Sequence, residues 1–328
     1  MINKYLKTLL NGGVPEAERR PLEDGLAAYQ QGRHSEALPL LEEGVASQPQ
    51  HFDGLMALGQ IHFKGGDLEA AQRRFLEALS LENRNATLYF LLGEVSYQGG
   101  RPAEALRFYQ RATSVDADYT DAFIRMGMLH QEAGRLEEAT KAYERAIFLD
   151  RSAVVARFQL AQVCISLGDT RRALTQLHLV KEIHGDYPPV FVLQGELQFG
   201  LGDFRQAIVE FERALELGVV DVGLLWSLSE AHARVGDKDQ ALEAAMRTLE
   251  EDPLHPAAHL RVAESLEAAR RYTQALQHYE TLLEVEGFDA AARAGFERVS
   301  AVLAEIAAKM AGEADAPTAN EGGQPPAP

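Results

Sequence analysis

The sequence predicts an all-α solenoid, a stack of short helical hairpins, and three observations predict it. A phrase recurs at a fixed interval: LGQIHFKGGDLEAAQRRF at residues 58–75 returns as LGEVSYQGGRPAEALRFY at 92–109, a step of 92 − 58 = 34 residues. The step continues without insertion or deletion from residue 18 to residue 289, which divides that stretch into units 18–51, 52–85, 86–119, 120–153, 154–187, 188–221, 222–255 and 256–289. Within the units, apolar residues fall at i, i+3, i+4 and i+7 in two segments parted by a short glycine-containing turn, the pattern of two amphipathic helices.

Ahead of the array, Ile2, Leu6, Leu9 and Leu10 form a short apolar stripe that stops at Asn11-Gly12. Residues 1–17 are expected to cap the first unit, with docking or peripheral membrane association through residues 2–10 as the sharper reading. The stripe is too interrupted for a secretory signal, and no segment approaches the length of apolar chain that crosses a bilayer.

Inside the units the strictest recurrence is alanine: Ala37, Ala71, Ala105, Ala139, Ala173, Ala207, Ala241 and Ala275. Five residues earlier stands Gly32, Gly66, Gly100, Gly134, Gly168, Gly202 or Gly236, with Arg270 the exception, and glycine there supplies the left-handed backbone that ends a helix. The next residue is aspartate in Asp67, Asp169, Asp203 and Asp237, placed to cap the second helix. A small residue twelve before the alanine (Gly25, Gly59, Gly93, Gly127, Ala161, Gly195, Ser229, Ala263) is expected to face it where the two axes approach within ~8–10 Å. Four after the alanine comes Leu41, Phe75, Tyr109, Tyr143, Leu177, Phe211 or Tyr279, and Ala245 breaks the row. Residues 290–310 read as one helix, with Phe296, Val299, Val302, Leu303 and Ile306 on one side, covering the last unit as an open stack requires. From residue 311 to 328 there is too little apolar material to order a segment, and Pro325 and Pro328 make a P-x-x-P without a basic neighbour.

The net charge of −17 and pI near 5.1 argue against binding nucleic acid or anionic lipid, which need clustered Lys and Arg. Cys164 is the single cysteine, so a disulfide within the chain and a cysteine-rich zinc site are both excluded. His62, His130 and His232 share one unit position and are therefore spread along the stack, too far apart for one zinc. His255 and His259 lack the acid of an HExxH pair. No phosphate-binding loop, nucleophile elbow or dinucleotide fingerprint is present, so no cofactor and no enzymatic activity are expected, and the setting expected is cytoplasmic.

The columns resemble the tetratricopeptide repeat, whose pattern W-x₂-L-G-x₂-Y…A-x₃-F…P is matched by Leu58, Gly59, Ala71, Phe75 and Ala78 and again by Leu92, Gly93, Ala105, Tyr109 and Ala112. The terminal proline is kept at Pro49 and Pro253. The resemblance implies a right-handed superhelix whose first helices line a concave face, reached by unit positions 2, 5, 9, 12 and 13. Position 5 gives Phe90, Ile124, Phe158, Val192 and Trp226, position 12 gives Tyr97 and Phe199, and position 9 gives Glu94, Glu196, Glu230 and Glu264. Position 5 also packs within the array in such proteins, but Trp226 is larger than that packing needs. An aromatic floor beside carboxylates suits a peptide or helix with apolar anchors and basic flanks. Position 5 never holds lysine and position 9 never holds asparagine, so the clamp with which co-chaperone members grip a C-terminal carboxylate is missing. The expectation is a protein-interaction scaffold or adaptor; the alternatives are a homo-oligomeric, self-assembling scaffold of a secretion, pilus or organelle complex, and a signalling-peptide sensor.

Overall fold

The computed structural model describes residues 16–285 and 289–314, and these form seventeen helices joined by turns, with no strand among them. The chain divides into two compact units between Ile183 and His184. The first unit holds five helical hairpins: α1 (Glu16–Gln30) with α2 (His34–Ser47), α3 (Phe52–Lys64) with α4 (Leu68–Leu81), α5 (Ala86–Gln98) with α6 (Pro102–Val115), α7 (Thr120–Glu132) with α8 (Leu136–Leu149), and α9 (Val154–Ser166) with α10 (Thr170–Ile183). The second unit holds three, α11 (Pro188–Gly200) with α12 (Phe204–Glu216), α13 (Val222–Val235) with α14 (Lys238–Glu251), and α15 (Pro256–Ala268) with α16 (Tyr272–Leu283), followed by α17 (Asp289–Ala314). The N-terminal stripe Ile2 to Leu10 and the segment from residue 315, with its P-x-x-P, lie outside the described residues.

Each hairpin closes through the same turn. Gly66 takes φ +80°, so the Asp67 amide donates back to the His62 carbonyl at 2.9 Å, and the Asp67 carboxylate then accepts from the Ala70 amide at 3.0 Å to start α4. Asp169, Asp203 and Asp237 make the same cap. Where glycine is replaced, Arg270 still adopts φ +60°, a left-handed conformation that costs a non-glycine residue ~1–2 kcal/mol. Four further caps escape the sequence pattern and start first helices: Asn85 accepts from the Leu88 amide and Asp221 from the Leu224 amide, and the imidazole Nδ1 of His51 accepts from the Gly54 amide and that of His255 from the Ala258 amide, each of the latter two at 3.2 Å.

The alanine column is buried throughout, and the nearest neighbour of most glycines in the small column is the ring one turn beyond it. A methyl added at Gly59, Gly93, Gly127 or Gly195 would press into the ring of Phe75, Tyr109, Tyr143 or Phe211, the residue one turn beyond the alanine. The closest approach at these four glycines is therefore to a ring rather than to the alanine, because a ring one turn along the same face reaches the opposite backbone, where the missing Cβ leaves room for it. In two units a larger small-column residue goes with a smaller partner: Ala161 pairs in register with Leu177, and Ser229 with Ala245, where the Ser229 hydroxyl donates to the Ala241 carbonyl at 2.7 Å. The rule is not general, since Gly25 stands opposite Leu41 and Ala263 is in register with Tyr279.

The terminal helix packs on α16, burying Ala292 and Val299 and laying Gly295 on the Tyr279 ring. It runs past the expected end at residue 310 to Ala314, since Ala311, Glu313 and Ala314 favour helix and Pro317 comes only later. Ile306, expected on the covered side, is 40% exposed. With 26 residues against the 12 of α16, α17 outlasts the helix that it lies on.

Candidate peptide-binding surface

In the first unit, α5, α7 and α9 carry Phe90, Ile124 and Phe158 at the same register position, each half-buried. Phe90 lies 5.6 Å from the Tyr109 ring and 5.3 Å from Tyr119, so it joins one hairpin to the next while keeping part of its face open. Tyr97 donates its hydroxyl to Glu132 at 2.6 Å, and that bond raises the phenol pKa. Glu94 is in a different setting from an open carboxylate row: it is 8% exposed, accepts from the Tyr109 hydroxyl at 2.6 Å, and is paired with the Arg125 guanidinium at 2.7 Å. Burial, followed by this bond to Glu94, pushes the Tyr109 hydroxyl far up.

In the second unit, α11 carries Val192, Glu196 and Phe199, α13 carries Trp226 and Glu230, and α15 carries Glu264. Trp226 is half-buried, with the His255 ring 5.2 Å away and the Arg261 guanidinium 4.8 Å from its centroid. Arg261 donates to the Ser229 carbonyl at 2.7 Å and forms an ion pair with Glu230. Phe199 meets Phe204 edge to face at 5.2 Å. Glu196 and Glu264 are exposed, and neither accepts a hydrogen bond or forms an ion pair among the described residues. Although the residue is exposed, partial desolvation of its carboxyl by surrounding atoms, and then the Asp221 charge, raise the Glu196 pKa.

The ion pairs share one rule that single columns do not reveal. Glu94 to Arg125 and Glu230 to Arg261 are each a step of 31 residues (125 − 94 and 261 − 230), from position 9 of one repeat to position 6 of the next. Glu267 and Arg298 are 31 apart as well, with both guanidinium bonds at 3.0 Å. The signal lay in reading positions 9 and 6 together, an acid followed by an arginine one repeat less one helical turn later. These pairs neutralise Glu94 and Glu230 and leave Glu196 and Glu264 as the unengaged acids of the candidate set. Among the described residues no cluster of His, Cys, Asp and Glu is arranged to hold a metal ion, and no helix is long and apolar enough to cross a membrane.

This helical-hairpin architecture defines a class of repeat protein, and the comparisons name its family. The tetratricopeptide repeat profile matches residues 22–71, 62–121, 124–179, 192–248 and 228–294. The chain belongs to the tetratricopeptide repeat family. None of the curated proteins compared with it matches by sequence. Among solved structures, the C-terminal part of a TPR repeat-containing protein from Cytophaga hutchinsonii superposes with a TM-score of 0.62 at 16% identity, over 72% of this chain and 97% of that one. A tetratricopeptide repeat protein from Parabacteroides merdae gives 0.56 at 15% identity, over 76% and 98%. At these identities the likeness is one of fold.

Proposed function

We propose that the chain is a non-catalytic protein-interaction scaffold or adaptor, and that its first helices take a peptide or helix with apolar anchors and basic flanks. The observation that carries the reading is in the second unit, where α13 presents the half-exposed ring of Trp226 and the first helices of the hairpins before and after it, α11 and α15, bear the unengaged carboxylates Glu196 and Glu264. Family membership supports the scaffold role, and apolar side chains set among acids favour a ligand that is apolar at its centre and cationic at its ends. Glu230, already neutralised by Arg261, contributes shape and rigidity to this surface rather than charge, as Glu94 with Arg125 does within the first unit.

The chain has one tryptophan, so its fluorescence reports on this surface directly. Titration with short synthetic peptides bearing an aliphatic or aromatic centre and Lys or Arg flanks is expected to shift Trp226 emission, with acidic-flanked controls inert. Glu196→Gln with Glu264→Gln is expected to weaken binding about tenfold, equivalent to ~1.4 kcal/mol. Binding that ignores both the flanks and the double substitution would refute the reading.

A further inference from the structure

Where α8 runs into α9, the first unit carries a second surface of opposite character. Phe148 is 74% exposed near the end of α8, with the Arg145 guanidinium 5.3 Å from its ring centroid. Beside it lies a cavity of about 430 Å³, lined by Phe148 and Glu144 of α8, Arg151 of the turn, Arg157 and Leu160 of α9, and Arg172 of α10. The charges in it do not cancel. Arg172 is paired with Glu144. Arg157 donates to neutral acceptors, the Arg151 carbonyl at 3.1 and 2.8 Å and the Gln176 amide oxygen at 3.2 Å. The Arg151 side chain has no partner among the described residues, and the nearby Asp150 carboxylate accepts from the Ser152 amide at 2.8 Å and hydroxyl at 2.6 Å. Arg151 and Arg157 thus form no ion pair among the described residues, although the Asp150 carboxylate, held low first by its Ser152 hydrogen bonds and then by the Arg157 charge, is close by, and the two arginines flank a large exposed aromatic ring on a chain of net charge −17.

We infer that this cavity is a docking site for an acidic peptide segment of a partner protein, its carboxylates on Arg151 and Arg157 and an apolar side chain against Phe148 and Leu160. Arginine presents donors in a fork that fits a carboxylate, and arginine and aromatic residues together form the energetic centres of protein interfaces. At physiological salt, charges are screened beyond ~8 Å, so an arriving carboxylate responds to these arginines rather than to the acidic chain as a whole. Nucleic acid is disfavoured because two arginines outside ion pairs fall well short of the ~6–10 phosphate contacts that such binding uses. The site has the opposite charge preference from the surface around Trp226, so the scaffold would hold two chemically distinct partners.

The test uses the full chain and fluorescein-labelled peptides of Asp and Glu around a central Leu, with Asn/Gln and Leu→Ser versions as controls. The acidic peptide is expected to bind at physiological salt, both controls at least about tenfold more weakly. Arg151→Glu, which removes no side-chain bond within the fold, and Phe148→Ser, which removes only the Arg145 stacking on an exposed ring, are expected to weaken it by a similar factor, and Arg151→Gln by less. Helicity and the Trp226 response to basic peptides should be unchanged in all three variants. Equal binding of acidic and neutral peptides, indifference to Arg151→Glu, or displacement by a short RNA at equal concentration would overturn the assignment.

Discussion

Gly59 lies so close to the Phe75 ring that an added methyl would come within 2.4 Å of it. Gly59→Ala should therefore cost ~1–3 kcal/mol by overpacking. Phe75→Leu alone leaves a void and costs a comparable amount. The chain already contains the relaxed combination, Ala161 with Leu177, so the double variant should be less destabilised than the sum of the two by about 1 kcal/mol, measured as a denaturant double-mutant cycle. Strict additivity would show that the two columns are not in contact. At this scale the sequence was informative about which positions are small and less so about what they face, because a repeat spacing fixes registers along the chain but not how far a ring reaches across it.

Between α15 and α16 two histidines meet, Nδ1 to Nδ1 at 2.8 Å, while the His259 Nε2 lies 2.9 Å from the Pro253 carbonyl. That carbonyl requires an N–H, so in the neutral pair His259 donates there and accepts at Nδ1 from His278. A proton on each ring would set two N–H groups against one another. Burial, and then the charge of His259, lowers the His278 pKa below its ordinary value of 6.5. A lowered folded value means that the unfolded chain binds more protons as the pH falls below 6.5, so this stability is present above 6.5 and is lost as the pH drops toward the folded value. Thermal midpoints of the parent should fall across that window more steeply than those of His278→Gln; parallel curves would remove the pair from the account. Arg271 and Glu250 line, with His278, a cavity beside the pair, so they are the charged groups that face it. Nothing in the repeat columns marks this pair, since residues 259 and 278 stand at different unit positions, and it becomes visible only when the two helices are packed.

Across the molecule, each hairpin packs on its neighbours in sequence within its own unit, so strain should stay local. Ala207 is fully buried in α12, and Ala207→Leu should cost ~1–3 kcal/mol and speed amide exchange in α11 to α13 more than in α1 to α4. Uniform acceleration along the chain would contradict a stack of semi-independent hairpins. The all-α fold and its phase were legible because an uninterrupted period of 34 leaves few alternatives. The surface was legible only in outline: the sequence identified the apolar row and the acids, whereas the neutralisation of Glu94 by Arg125 and of Glu230 by Arg261 depends on how one repeat docks on the next.

The central claim is that the first helices bind a peptide, and amide exchange of the full chain with and without the tightest basic-flanked apolar peptide tests it most directly. The account predicts added protection in α11, α13 and α15, around Trp226 and the helices bearing Glu196 and Glu264, with α12, α14 and α16 little changed. Protection confined to α12, α14 and α16 would contradict it.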